Sequence, residues 1–215
     1  MSAALPAIRH FFVDEAGDLT LFNQRGRVLV GRQVGVSQTF MIGICELPDP
    51  VDAEVRLTAL RAALLADPYF RGVPSMVPHS RKTALSFHAK DDLPEVRREV
   101  FRLLPVLQPR IIVAIRRKQE LAEFAQGLFR LSRQKVKPDL VYDDLVERAC
   151  ATLLHKAEEN RFLFARRGKS DRNSALTAAL MRSKERFNRR WQDYGEWYND
   201  SNPLTLDTLK PVTPG

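Results

Sequence analysis

The stretch Phe11-Phe12-Val13-Asp14-Glu15-Ala16-Gly17-Asp18 constrains the fold more tightly than any other part of the chain. An apolar run delivers acids at its end and is stopped at once by glycine, the pattern of a buried strand that presents a carboxylate at its tip. In open α/β sheets the carboxyl ends of strands are where ligands bind. Asp14 is therefore the first candidate for a functional residue. Glu15, adjacent in an extended segment, should point to the opposite face.

With 215 residues, 44% of them hydrophobic, the chain can bury one sizeable core. We expect one domain over residues 1–198 and a poorly ordered tail over 199–215, where Pro203, Pro211 and Pro214 interrupt the pattern. No window approaches the ~18 consecutive apolar residues that cross a bilayer, so no membrane partner is expected. The segment Met1 to Pro6 lacks a basic region followed by an apolar one, so the expected location is cytoplasmic. Cys45 and Cys150 sit in apolar surroundings without metal-ligand spacing, which fits reduced core residues.

The net charge of +8 is concentrated. Between Arg161 and Trp191 stand ten basic residues and two acids, a local surplus equal to that of the whole chain. Arg166, Arg167, Lys169, Arg172, Arg182, Arg186, Arg189 and Arg190 form a surface suited to a polyanion, and nucleic acid, DNA or RNA, is the usual one. A solvated basic helix would carry the same pattern. Trp191, Tyr194, Trp197 and Tyr198 follow closely; such aromatics stack bases, bury against a partner protein or pack on the chain's own core.

Periodicity divides the chain into alternating elements. Ile8–Asp14 and Thr39–Cys45 read as strands, with Leu19–Phe22 and Arg27–Val30 pairing as a hairpin between them. Residues 52–65 read as a helix, 67–82 as a loop and 85–92 as a short strand ending in charge, with His88 and Lys90 on one face. Asp92 is placed to cap a helix entered through Pro94. The continuous run Ile111-Ile112-Val113-Ala114-Ile115 reads as a central strand covered on both faces. Helices over 120–131 and 139–155, a strand over 161–165 and a basic helix over 174–194 complete the series.

A meander of strands followed by alternating helices and strands is the order of the ribonuclease H-like α/β architecture, a mixed sheet with helices on both faces. Val13-Asp14-Glu15-Ala16-Gly17-Asp18, Phe87-His88-Ala89-Lys90 with Arg97 in the next helix, and the late strand leading to Asp171 resemble domain-of-unknown-function family 3800. This bacterial and phage group is similar to ribonuclease H-like nucleases, and the resemblance spans residues 8–190. It implies a nuclease in a phage-defence or mobile-element setting, dependent on Mg2+ or Mn2+. It places Asp14 and Asp171 on the metal, with His88 and Lys90 completing the catalytic set. It also implies a closing helix with a Gln and an Asp; the late acid in this sequence is Asp207, in a Pro-flanked stretch.

Two divalent ions about 3.5–4 Å apart stabilise both the attacking and the leaving oxygen in phosphodiester cleavage, and hard carboxylate oxygens suit them. His88 and Lys90 would orient phosphate or neutralise charge on the leaving oxygen. The alternative is a catalytically silent ribonuclease H-like module that binds nucleic acid or protein, as a homodimer or with a partner. Asp143, Asp144 and Glu147 read as the solvated side of a core-packed helix, and His10, His79 and His155 as incidental.

Overall fold

The computed structural model describes residues 8–80, 82–90, 92–154, 157, 159–165, 172–191 and 204–209, with the backbone alone for 80, 191 and 204–209. It contains five strands, β1 (Ile8–Ala16), β2 (Thr39–Leu47), β3 (Arg110–Arg117), β4 (Glu159–Ala165) and β5 (Leu204–Leu209). The helices are α1 (Pro50–Ala66), α2 (Pro94–Leu107), α3 (Lys118–Ser132), α4 (Pro138–Cys150) and α5 (Asn173–Trp191). The strands form one α/β sheet in the order β3-β2-β1-β4-β5. β4 is parallel to β1 and β5 is parallel to β4.

The chain divides into two compact units. The first holds residues up to Cys45 and 111–209, and the second holds 46–110. The segment between β2 and β3 gathers its own contacts. It builds a small core from Leu64, Phe70, Met76 and Val96, with Leu60, Val73, Phe87 and Leu93 packed against it. Pro68, Pro74 and Pro78 each open a short 3-10 turn in the stretch between α1 and α2.

In the first unit, alternation sorts the strands. Arg9, Phe11 and Val13 of β1, Phe40, Ile42 and Ile44 of β2, and Asn160, Phe162 and Phe164 of β4 are buried on one face. Leu121, Ala122 and Ala125 of α3, Val141, Leu145, Val146 and Ala149 of α4, and Leu176, Ala179, Leu180 and Phe187 of α5 join them in one cluster. Phe11 and Phe162, level in the β1–β4 register, stack at 4.6 Å between centroids, a contact worth about 0.5–1.5 kcal/mol beyond area burial.

The helices of this unit share one core on one face of the sheet. β3 is the clearest departure. Its apolar run reads as a central strand, yet it lies at the sheet edge, with Ile112 and Ala114 against the core and Ile111, Val113 and Ile115 about half exposed. An unbroken apolar run records that both faces tolerate apolar residues, which does not fix lateral position. The tail expected over 199–215 contains β5, whose register sets Leu163 beside Asp207. The hairpin expected over 19–30 is reduced to one antiparallel bridge, Phe22 to Val28, closed by a turn in which Asn23 Oδ1 accepts from the amides of Arg25 and Arg27.

Candidate functional site

Asp14 lies one residue past Val13, which is level with Phe164 of β4. β1 is the middle strand of the five: from it the chain first builds β2 and β3 on one side and then β4 and β5 on the other. The carboxyl ends of β1 and β4 therefore meet where the direction of winding reverses, the place where open α/β sheets collect ligands. A cavity of about 310 Å3 opens there, lined by residues including Phe12, Asp14, Gly43, Cys45, Ile111 and Ala165.

The Asp14 carboxylate is exposed, and its Oδ1 accepts from the amide of Glu15 at 2.8 Å, which fixes its orientation. β1 remains extended to Ala16, so alternation keeps Glu15 on the face opposite Asp14. Gly17 then turns the chain with φ of +84°. A Cβ at this position would stand 2.5 Å from the carbonyl oxygen of Thr39, so only glycine lets β1 and the start of β2 approach this closely.

Asp18 is tied down behind the turn. The buried ammonium of Lys118 lies 3.3 Å from Asp18 Oδ1 and 3.1 Å from Ser37 Oγ, and Ser37 donates to Asp18 Oδ2 at 3.2 Å. Burial works to raise the Asp18 pKa, but hydrogen bonds from Thr20 and the charge of Lys118 hold it below the usual carboxylate value. His10, on the Asp14 face of β1, has its pKa lowered by burial and by Arg161, with Glu159 opposing.

His88 and Lys90 belong to the second unit, and Asp14 to the first. They stand on an exposed loop rather than on the expected strand. The buried carboxylate of Asp92 explains the difference: it accepts from the Thr83 hydroxyl and from the His88 amide at 2.7 Å. Such local bonds offer the backbone an alternative to a sheet ladder. Asp92 therefore closes this loop and does not cap α2, whose N-cap is Leu93.

Asp171, Arg166, Arg167 and Lys169 lie outside the described residues, as do Asp91, His155, Tyr194, Trp197 and Tyr198. Of the remaining basic set, Arg172 is held by Asp143 at 2.6 Å and Asp139 at 3.3 Å, while Arg182 and Arg186 meet the two oxygens of Glu147 at 2.9 and 2.8 Å. Asp143 is buried and Glu147 partly so; they anchor α5 to α4, where the sequence suggests a solvated face. Burial raises the pKa of Asp143, and the Arg172 charge opposes that rise. Arg189 and Arg190 are exposed near the end of α5.

Neither cysteine forms a disulfide. Burial pushes the Cys150 thiol far up, as expected for an inert core residue. Cys45 lines the Asp14 cavity together with Gly43, a neighbourhood the sequence reading missed. Glycine inside an apolar strand, which marks close approach by another group, is the one local sign of it.

The oxygen chemistry of Asp14 suits Mg2+ or Mn2+. Among the described residues no three His, Cys, Asp or Glu side chains come together as a metal site. No described helix is long and apolar enough to cross a membrane. No protein-family model matches the chain, and no curated protein matches it.

Proposed function

We propose that the protein is a nuclease of ribonuclease H-like architecture that hydrolyses phosphodiester bonds at the Asp14 end of the sheet. The observation that carries this reading is the position of Asp14: an oriented, exposed carboxylate at the tip of the middle strand, over a cavity, where the winding of the sheet reverses. The parallel pairing of β1, β4 and β5 supports it further, because the chain leaves β4 beside Asp14 and runs on into Arg166, Arg167 and Lys169. A phosphate backbone held by such cations would be delivered to the carboxylate. The share of the chain in hydrolysis is to hold the phosphodiester and orient its reacting groups at Asp14.

Asp14→Asn keeps shape and removes charge. It is expected to abolish cleavage of DNA or RNA while leaving binding intact, and cleavage by the variant at the wild-type rate would overturn the assignment. Calorimetric titration with Mn2+ checks the expected metal dependence, with heat that is lost in Asp14→Asn.

The exposed Arg189 and Arg190 near the end of α5 also fit a second reading, a silent binding module on the same scaffold. That reading requires binding whose log affinity falls linearly with log salt, indifferent to Mg2+, and no cleavage by the wild type.

A further inference from the structure

We propose that a second cavity of the first unit binds one nucleotide of a single-stranded nucleic acid, gripping the phosphate with Arg25, Arg130 and Lys135 and stacking the base on Phe129. The cavity measures about 630 Å3 and shares no lining residue with the one at Asp14. Its volume falls in the ~300–1,000 Å3 range of small-ligand sites. The inference extends the nucleic-acid reading to a different place.

The electrostatics point to an anion. No Asp or Glu lines the cavity, and none of the three cationic side chains takes part in an ion pair among the described residues. They converge from three segments: Arg25 from the turn after Asn23, Arg130 from the last turn of α3, and Lys135 from the connection to α4. The helix dipole favours a cation at the end of α3, which accounts for Arg130 and leaves Arg25 and Lys135 unexplained. Three like charges around one concavity repel, and a bound phosphate relieves the repulsion.

The remaining lining points to a base. Phe129 is 40% exposed, and the guanidinium of Arg133 lies 5.6 Å from its ring centroid. Ring and planar cation together make a stacking platform of the kind used for unpaired bases. Phe22 supplies a second apolar wall. The turn that carries Arg25 is preset, because Asn23 Oδ1 accepts from two amides and Gly26 adopts φ of +74°. Inorganic phosphate would leave the ring and most of the volume unused.

Fluorescence anisotropy with a labelled oligothymidylate, in the absence of divalent metal, tests the proposal. Phe129→Leu keeps apolar bulk and loses the aromatic face, and is expected to weaken binding about tenfold or more. The double variant Arg25→Ala/Arg130→Ala should flatten the slope of log affinity against log salt by about 0.7 for each lost phosphate contact. Thymidine monophosphate should displace the oligonucleotide at concentrations where inorganic phosphate does not. Wild-type affinity and salt slope in both variants, with circular dichroism confirming their folds, would overturn the proposal, as would equal displacement by inorganic phosphate. The two assignments fail separately: wild-type binding by the Phe129 and Arg25/Arg130 variants would overturn this site without touching cleavage at Asp14, and wild-type cleavage by Asp14→Asn would overturn the nuclease assignment without touching binding here.

Discussion

Lys118 is fully buried, and the oxygens that meet its ammonium belong to Asp18 and Ser37, which lie at the two ends of the loop joining β1 to β2. Lys118→Met removes the charge that closes this loop. Because the Asp18 side chain is 49% exposed, its carboxylate can rehydrate, and the loss should be about 1–3 kcal/mol rather than the larger penalty of a sealed ion pair. Urea denaturation measures it. The pH dependence follows from the lowered pKa of Asp18. A carboxylate depressed on folding contributes stability above its unfolded value, near 3.9, and that contribution is lost as pH falls through the folded value. Thermal melts from neutral to strongly acidic pH should show this loss in the wild type, and a shallower acid arm in Lys118→Met. Next door, Gly17→Ala combines positive φ with a Cβ 2.5 Å from the carbonyl of Thr39, so it should cost about 1–3 kcal/mol or more in the same assay. An unchanged midpoint would mean that the turn is not held as described.

Between elements, α4 and α5 are joined by charge as well as by apolar packing. Glu147 receives Arg182 and Arg186, its carbonyl accepts from Ser183 Oγ, and Asp143 receives Arg172, which also lies over the Tyr142 ring at 5.1 Å. Much of the positive charge that the sequence concentrates in this region is therefore neutralised internally. If Arg182 and Arg186 also grip phosphate, they must leave Glu147 to do so. Glu147→Gln removes that competition and should tighten nucleic-acid binding and steepen its salt dependence by up to about one unit for each arginine released. The stability cost should stay near 1 kcal/mol, since both arginine side chains are about half exposed. Unchanged affinity would confine α5 to a structural role. Asp143 differs in sign: its raised pKa means that stability is greatest below the unfolded value and declines as pH rises toward the folded one.

Across the whole molecule, features that repeat within a few residues were legible in the sequence. The periods of α3, α4 and α5 and the apolar character of β1, β2 and β4 each fall within one window, and the glycine stop identifies Asp14 as a strand tip. What depends on distant partners was not legible. The edge position of β3 is set by pairing, β5 hides its short alternation among prolines, and Cys45 and Gly43 reach Asp14 only because β2 lies beside β1. The loop around Asp92 turned on a buried carboxylate that looked like a helix cap. Nor did the pattern announce that residues 46–110 gather a core of their own. That division carries a prediction about local stability. Among the described residues, twenty-four buried side chains form the core cluster of the first unit and four form that of the second. Each buried aliphatic or aromatic side chain contributes about 1.5–3 kcal/mol, so the smaller core resists opening less. In native-state hydrogen exchange, amides of α1 and α2 should exchange through openings of lower free energy than those of β1, β2 and β4. Equal protection in the two sets would show that the chain opens as one cooperative body in spite of the difference in its cores.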